Sequence, residues 1–535
     1  MKKQVKRRFF TAVMAAVFTV SGLSLTGCGS KADSEKADIN QKSFTYWAPM
    51  VPSVASRIES FNDIEMYKKM EEETGVHIEF IHPPVGQEKE QFNLLIASRD
   101  LPDMIEYNWN AFDGGPQAAI DQDIIYPLNE YIESSAPNFK KAISEGEYAQ
   151  SYDKGSKTDT GEYFAFPCFN VGEDRIFGGA MIRKDWLDEL GFDIPETIDE
   201  WTNVLTAFKE KKGAEAPLTG TATYFMPGTH SVFNGAFDVA ATRLYVEDGK
   251  VKFSPYEKGY KEYITLLHDW YKKGLLDKDF SNIQGTAVDS KMLNGTSGAV
   301  IGYLGGSMGK YLKQMESTDP NYNLVCAPYP VKEKGQQNHF GMYQKDVSQR
   351  YVAITKNCKD PEGAVKWLDK WYGKDGYMLM NFGVEGSTYN MQDGKPVYTD
   401  KILHNPDGLS INEALSLDCR ATSAAPGFQQ APEYLEQYYE YPQQVEGFKM
   451  WAATAAVTRD YVLPDGVFAT ADEEKELAAL NTDISTYVSE MYTKFVTGDE
   501  PLDNYDNFLA TLKDSLNADR YIEIQQNMYD RYLKR

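Results

Sequence analysis

Apolar residues form one continuous run near the start of this chain and recur with regular spacing through the rest of it. The run covers residues 9–25, carries no charge, and follows five basic residues within the first eight positions. A basic end followed by a short apolar core is typical of a secretory signal peptide. No later segment approaches eighteen consecutive apolar residues, so the body of the protein is not expected to span a membrane.

From residue 43 onward, the spacing of apolar positions alternates between the periods of strands and helices. Strands are predicted over residues 43–47, 76–81 and 104–107, with helices over 64–73 and 88–98 between them. The order β, α, β, α, β is typical of a parallel sheet covered by helices.

The same pattern begins again near residue 170, which predicts a second α/β unit. A strand over 179–182 leads into a helix over 184–190 that ends at Gly191, and a capping box from Thr197 to Glu200 opens a helix reaching residue 211. Strands over 299–304 and 351–354 and a helix over 362–372 follow, and helices over 472–498 and 504–516 dominate the last hundred residues. No short repeat is apparent, which argues against a solenoid or a propeller.

The length and charge of the chain narrow its class. Even without the signal peptide, the chain exceeds what one hydrophobic core organises, so two or more lobes are expected. The formal net charge of −24 becomes more negative once the basic signal is removed, which argues against nucleic acid as a partner. The negative net charge argues less strongly against polyanionic ligands, because a local basic pocket can bind an anion even where the average surface potential is negative.

The apolar run ends in Leu25-Thr26-Gly27-Cys28, which resembles the lipobox of bacterial lipoproteins. This resemblance implies a signal peptide over 1–27 and a diacylglycerol on the sulfur of Cys28, so that the protein is anchored by lipid at the extracytoplasmic face of the cell membrane. An incidental cysteine or an uncleaved anchor helix would not explain small residues directly before Cys28. Residues 29–41 are rich in Ser, Lys, Asp and Glu and contain no aromatic residue, so residues 28–42 are predicted to form a flexible tether.

The other cysteines do not form a recognisable metal or redox motif. They are far apart and in no CxxC arrangement, which argues against zinc and against a thioredoxin-like site: Cys168, Cys326, Cys358 and Cys419. Buried free thiols are the simpler interpretation. One or two disulfides remain open for an exported protein, and the sequence does not assign them.

Several short motifs, taken in order, resemble family 1 extracellular solute-binding proteins, the sugar receptors of bacterial ABC importers, and in particular their long LipO-like lipoproteins. The motifs are LPD at 101–103, MIRKDWL at 181–187, TIDEW at 197–201, DGKV at 248–251, WYKKGLL at 270–276, GVEG at 383–386 with Tyr389, and TDI at 482–484 with Tyr487. The resemblance implies a two-lobed periplasmic-binding-protein-like α/β fold of type II, with the ligand in the cleft between the lobes and a helical C-terminal part.

The resemblance also implies the division of the chain and its partners. The first lobe is expected to comprise 43–168 and 350–405, and the second 169–349 and 406–535, with crossovers near 166–170, 343–350 and 403–417. The expected ligand is a neutral oligosaccharide, and the expected partners are ABC permease subunits with a separate ATPase. We expect a monomer without a cofactor. Long relatives often carry a calcium loop after the position of Phe208, but KEKKGAEAPL at 209–218 has neither Asp nor Asn, so no metal is predicted there.

Sugar sites combine aromatic faces with a few polar groups, and α/β sheets bind ligands beyond the carboxyl ends of their strands. Most aromatic residues are expected to serve packing, so position must select among them. This rule and the resemblance together select ten ligand-binding candidates: Trp47, Tyr107, Asn108, Trp109, Asn110, Arg183, Tyr303, Glu385, Tyr389 and Trp451. Two of them have structural alternatives, because Arg183 could cap a helix or pair with Asp185 and Glu385 could serve a loop turn.

One short motif also suggests a rival function. Gly305-Gly306-Ser307-Met308-Gly309 matches the nucleophile elbow of esterases, with Asp360 or Asp369 and His404 in the required order, but any glycine-rich strand-to-helix turn produces this pattern by chance. No carboxylate pair stands out as a glycosidase site. An oligopeptide receptor would favour a charged clamp at each end of its cleft, and a purely structural lipoprotein would show no ligand-induced change. We therefore predict a binding protein and not an enzyme.

Overall fold

A computed structural model of the protein describes residues 39–172, 176–227, 230–421 and 425–535. The predicted signal peptide and Cys28 lie outside these residues. The predicted tether overlaps them only at 39–42, and here the structure differs from the prediction. Ile39 is buried, and the backbone N–H of Gln41 donates to Asp360 Oδ2 at 2.9 Å, so the folded body begins before β1.

The strands of the described residues are β1 Ser43–Trp47, β2 His77–Ile81, β3 Met104–Tyr107, β4 Phe166–Asn170, β5 Gly178–Arg183, β6 Leu218–Thr219, β7 Leu244–Glu247, β8 Lys250–Phe253, β9 Ala299–Tyr303, β10 Leu324–Cys326, β11 Val347–Ile354, β12 Tyr389–Gln392, β13 Lys395–Tyr398 and β14 Gly427–Gln429.

The helices are α1 Pro52–Ala55, α2 Glu65–Thr74, α3 Glu88–Ser98, α4 Gly115–Asp121, α5 Asn129–Ser135, α6 Pro137–Ala142, α7 Ala149–Ser156, α8 Lys184–Leu190, α9 Ile198–Lys212, α10 Lys258–Lys273, α11 Gly285–Leu293, α12 Lys310–Met315, α13 Pro361–Asp369, α14 Lys374–Phe382, α15 Asp400–Leu403, α16 Ile411–Asp418, α17 Pro432–Tyr438, α18 Pro442–Thr458, α19 Ala471–Thr497, α20 Tyr505–Ala510 and α21 Ala518–Lys534.

The first lobe is built on a six-stranded sheet in the order β14-β4-β11-β3-β1-β2. Strand β1 pairs in parallel with both β2 and β3, as the alternating pattern predicts. Strand β11 returns from the second lobe and is antiparallel to both of its neighbours, β3 and β4. The sheet is therefore mixed, and its centre comes from three distant parts of the chain.

The second lobe is built on a four-stranded sheet in the order β10-β5-β9-β6. Its helices begin and end where the local signals indicate. Thr197 accepts from the backbone N–H of Glu200, whose side chain accepts in return, and Gly191 ends α8 in the left-handed conformation. The C-terminal helices bury residues such as Ile484, Tyr492 and Phe508 in the core of this lobe.

The boundary between the lobes differs from the prediction near residue 406. Helix α16 packs in the first core through Ile411 and Leu415, and β14 joins the first sheet beside β4. After β14 the chain passes to the second lobe along α17. Tyr434 on this helix belongs to the first core, and Tyr439, directly after the helix, belongs to the second. This late crossover places α17 between the two lobes.

Two further observations concern the body of the protein. Cys168, Cys326, Cys358 and Cys419 are buried and free in the described structure, which agrees with the simpler interpretation of the cysteines. None of the described helices has the length and apolar character that crossing a membrane requires.

Candidate ligand-binding site

A cavity of about 430 Å³ lies between the two sheets and receives side chains from both lobes. Its described lining is Phe177, Gly178, His230, Tyr303, Gly305, Gly306, Met342, Tyr343, Gln344, Ser348, Asn412, Gln429, Gln430, Tyr434, Leu435, Tyr438 and Tyr439. Most residues in this lining are aromatic, amide-bearing or small, Met342 and Leu435 add aliphatic surface, and none of those described is Asp, Glu, Lys or Arg. Such a surface suits a neutral ligand that offers both C–H faces and hydroxyl groups.

One wall of the cavity belongs to the second lobe and begins where β9 ends. Tyr303 is the last residue of β9 and remains 39% exposed, with the rings of Tyr224 and His230 each 6.2 Å from its own. Burial lowers the pKa of His230, which favours its neutral form, and burial raises the pKa of Tyr303. The chain then turns through Gly305 and Gly306, and their lack of side chains exposes backbone to the cavity.

The other wall is carried by α17 and the segments beside it. Tyr434 and Tyr438 lie one helical turn apart, and their rings are stacked with centroids 4.8 Å apart. Asn412 Nδ2 on α16 donates to the hydroxyl oxygen of Tyr438 at 2.5 Å. Burial raises the pKa of Tyr438 to about 12, against the lowering effect of the Asn412 hydrogen bond. A Cβ atom at Gly305 would overlap the Tyr438 hydroxyl, so the tyrosine can occupy this position only because residue 305 has no side chain.

Of the ten residues that the sequence predicts, the structure brings only Tyr303 to this cavity. Trp47 and Trp109 instead pack in the first core, where Trp47 contacts Tyr107 edge-on at 5.8 Å and Trp109 Nε1–H donates to the carbonyl of Ile105. Trp47 ends β1 and is 2% exposed, and Trp109 is buried in the 3₁₀ turn that follows β3. They are core residues in this structure, so the prediction for them is corrected.

The remaining first-lobe candidates lie at the rim after β3. Tyr107 is half-buried and stacks on Phe92 at 4.3 Å. Asn108 caps the turn by accepting from the backbone N–H of Asn110, and its Nδ2 donates to Gln349 Oε1 at 3.4 Å. Asn110 borders a smaller pocket against the C-terminal helices.

Two second-lobe candidates have structural roles. Arg183 forms a two-pronged ion pair with Asp185, at 2.8 and 2.5 Å, and its guanidinium lies between the rings of Trp186 and Tyr322. Trp451 is fully buried behind β5, and its Nε1–H donates to the carbonyl of Ala327 at 2.8 Å. Neither side chain presents a face to the cavity, and the prediction for both is corrected because packing occupies them.

Glu385 and Tyr389 lie together but elsewhere. They line a separate pocket of the first lobe, where Lys69, Lys374 and Asp375 also contribute. Glu385 is exposed and bridges to Tyr389 across the turn that leads into β12, which is the loop role considered from the sequence.

Most of the cavity lining was missed from the sequence. One signal was readable: Tyr434, Tyr438, Tyr439 and Tyr441 fall within eight residues, and the first two have the spacing of one helix face. The amides Gln429 and Gln430 precede this cluster directly. No local sequence pattern indicates that this segment crosses between the lobes.

The chemistry expected of rival functions can be compared with the same geometry. Ser307 Oγ accepts from the backbone N–H of Tyr303 at 3.3 Å and is hydrogen-bonded to Tyr311, and no described histidine is paired with it. Within the described ranges, no group of three or more His, Cys, Asp or Glu side chains is placed to hold a metal ion.

Comparisons with known proteins agree with the geometry. Residues 55–378 match the family model described as bacterial extracellular solute-binding protein. The chain is 24% identical over 98% of its length to the fructooligosaccharide ABC transporter substrate-binding protein FusA of Streptococcus pneumoniae serotype 4, covering 99% of that protein. It is also 24% identical to lipoprotein LipO of Bacillus subtilis, over 78% of this chain and 80% of the relative.

The fold recurs in solved structures. The alginate-binding protein AlgQ2, in a structure without calcium ion, superposes with a TM-score of 0.76 at 23% identity, covering 93% of this chain and all of AlgQ2. An EF-hand mutant of S. pneumoniae FusA in complex with fructo-nystose gives a TM-score of 0.72 at 22% identity, over 92% of this chain and all of that one.

Proposed function

Because this chain belongs to the family of bacterial extracellular solute-binding proteins, we propose that it captures a neutral oligosaccharide between its two lobes for import by an ABC transporter. A permease and a separate ATPase would complete the importer, and neither is part of this chain. The role is that of a receptor which binds its ligand without converting it.

The observation that carries the proposal is the composition of the inter-lobe cavity. Aromatic rings reach it from both sides, with Tyr303 on the second lobe and Tyr434 and Tyr438 on the crossing helix α17. Rings of this kind pack on the C–H faces of sugars, while the surrounding amides match sugar hydroxyls. The described lining carries no formal charge, which also disfavours the oligopeptide alternative, because a peptide would need charged partners for its two ends.

Binding between lobes gives the receptor a way to signal its state. A sugar that contacts both walls stabilises the arrangement in which the lobes are close, and this shifts the population toward the closed form. The permease can then distinguish the loaded receptor from the empty one. We propose that lipid on Cys28 keeps the receptor at the extracytoplasmic face of the membrane, beside that permease, and that it works as a monomer.

A screen with defined sugars tests the proposal. The purified protein is heated with kestose, raffinose, stachyose or maltotriose, and with tri- and tetrapeptides as controls, and each hit is titrated by calorimetry. At least one neutral oligosaccharide should raise the melting temperature, by mass action on the native state. Stabilisation by a peptide and by no oligosaccharide would contradict the proposal.

A paired substitution locates the site. Tyr303→Ala should weaken binding of the best oligosaccharide about tenfold or more, equivalent to about 1.4 kcal/mol, if the ring packs on the sugar. Tyr256→Ala removes a half-buried tyrosine outside the cavity and should leave the affinity unchanged. Equal affinities for both variants would place the sugar elsewhere.

A further inference from the structure

Gln430 combines two unusual features at the wall of the cavity. It connects β14 to α17, and its backbone adopts the left-handed conformation with φ of 63°. A residue other than glycine pays a steric cost in this region, and such strain persists where the surrounding structure imposes it. Gln430 is one of the residues that line the cavity.

The buried end of this amide has no partner. Gln430 Oε1 is shielded from solvent, and no donor from the described residues reaches it. The neighbouring Gln429 differs, because its Nε2 donates to the carbonyl of Ala421 at 2.9 Å and its Oε1 accepts from Cys168 Sγ. The hydroxyl of Tyr439, across the crossover, is likewise buried in the lining and unpaired among the described residues. Buried polar atoms in native proteins are usually paired, and these two belong to residues that line the same cavity, where a ligand could supply their partners.

The strained position is fixed by buried polar contacts on both sides. Asn381 is fully buried, accepts from the backbone N–H of Ala431 at 3.0 Å, and donates to the carbonyl of Phe428 at 2.9 Å. Upstream, Arg420 pairs with Glu106 at 2.8 Å in the first core. The backbone on either side of Gln430 is therefore held by buried hydrogen bonds, and the residue keeps its place in the cavity wall.

We propose that Gln430 is a specificity-determining residue of the site, and that its Oε1 accepts a hydrogen bond from one hydroxyl of the bound oligosaccharide while the Tyr439 hydroxyl bonds a second polar group of the ligand. This rests on the proposed function. A sugar that places a hydroxyl at Gln430 pays no desolvation cost there. A sugar that lacks this hydroxyl, or points it elsewhere, leaves the acceptor buried and unpaired, and is rejected.

The test separates a ligand-binding role from a structural one. Gln430→Met keeps the length of the side chain and removes its polar end. We expect the affinity for the best oligosaccharide of the kestose, raffinose, stachyose and maltotriose set to fall about tenfold to a hundredfold. The melting temperature without sugar should stay the same or rise, because an unpaired buried atom has been removed.

Gln437→Met is the matched control. The amide of Gln437 is fully used by the fold, since its Oε1 accepts from the backbone N–H of Tyr398 at 2.8 Å and its Nε2 donates to the carbonyl of Pro396. The same chemical change should here lower the melting temperature and leave the affinity unchanged. Tyr439→Phe should behave like Gln430→Met, with weaker binding and unchanged stability.

The outcomes are distinguishable. If the wild-type protein binds none of the four oligosaccharides, the proposed function fails and this inference fails with it. If the wild type binds one of them and Gln430→Met binds it equally well, the inference alone is overturned. A drop in melting temperature for Gln430→Met as large as that of Gln437→Met would also overturn it, because the amide would then serve the fold. A form of the best sugar that lacks one hydroxyl provides a positive test. If the missing hydroxyl is the one that bonds Gln430, this deoxy sugar should bind the wild type more weakly than the parent sugar does, whereas Gln430→Met should bind both sugars with equal affinity.

Discussion

Replacement of Arg420 by Met should destabilise the first lobe strongly. Arg420 is 2% exposed and Glu106 is fully buried, so their ion pair lies in the apolar core. Arg420 Nη2 donates to Glu106 Oε1 at 2.8 Å, and its Nη1 donates to the Tyr67 hydroxyl at 3.1 Å. The guanidinium also lies 4.4 Å from the ring of Phe61. The variant would leave the Glu106 charge in the core without its closest cation.

The structure sets the size of the effect. Removing one partner of a buried ion pair costs about 3–5 kcal/mol, because the remaining charge loses its compensation. Here Tyr46 still donates to Glu106 Oε2 at 2.8 Å, and Arg350 lies 3.8 Å from Glu106 Oε1. These contacts place the expected loss at the lower end, about 3 kcal/mol.

Urea unfolding followed by tryptophan fluorescence measures this loss. Glu106→Gln combined with Arg420→Met should recover most of it, since no uncompensated charge then remains in the core. Lys140→Met breaks an exposed ion pair with Glu133 and should change the free energy of unfolding by less than about 1 kcal/mol. The reasoning would be refuted if Arg420→Met lowered the free energy of unfolding by less than about 1 kcal/mol. It would also be refuted if the double variant were no more stable than Arg420→Met alone.

Three further predictions concern the cavity and the two cores. Gly305→Ala should weaken oligosaccharide binding about tenfold in calorimetry, because the added methyl displaces Tyr438; unchanged binding would contradict this. Burial lowers the pKa of His230, so the unfolded chain binds a proton more readily than the native protein. The contribution of neutral His230 to stability should therefore be fully present above about pH 6.5 and should be lost as the pH falls through its folded-state pKa. In melting curves recorded from pH 7.5 to 5.0, His230→Gln should show a weaker dependence of the melting temperature on pH than the wild type. Trp451→Ala should cost about 3–5 kcal/mol of unfolding free energy through the void it leaves, and a loss under 1 kcal/mol would show that the indole is not a core residue.

The elements that sequence reasoning predicted well are those specified by short-range signals. The strand ending at Trp47 and the helix before Gly191 have the predicted bounds, because alternation and a left-handed glycine act within a few residues. The short strand β14 was not predicted, since the strand with which it pairs, β4, lies more than 250 residues earlier. Ile411, Leu415 and Tyr434 pack in the first core, whereas the predicted boundary assigned them to the second lobe.

The site was harder to predict because a position at the carboxyl end of a strand locates a residue near the ligand-binding edge of the sheet but does not determine the direction of its side chain. Trp109 follows such a strand, yet the turn it begins folds its indole into the core. Tyr303 is the last residue of another strand, β9, and it lines the cavity together with Gly305 and Gly306 of the turn that follows. The opposite wall depends on where the chain crosses between the lobes, which only the assembled fold reveals.

A crystal structure with the oligosaccharide that raises the melting temperature most is the measurement that decides where and how the protein binds. The geometry predicts sugar density in the inter-lobe cavity, with one ring packed on Tyr303, another near Tyr438, and a hydroxyl within hydrogen-bond distance of Gln430 Oε1. Sugar bound instead in the pocket of Glu385 and Tyr389, with the inter-lobe cavity empty, would contradict it.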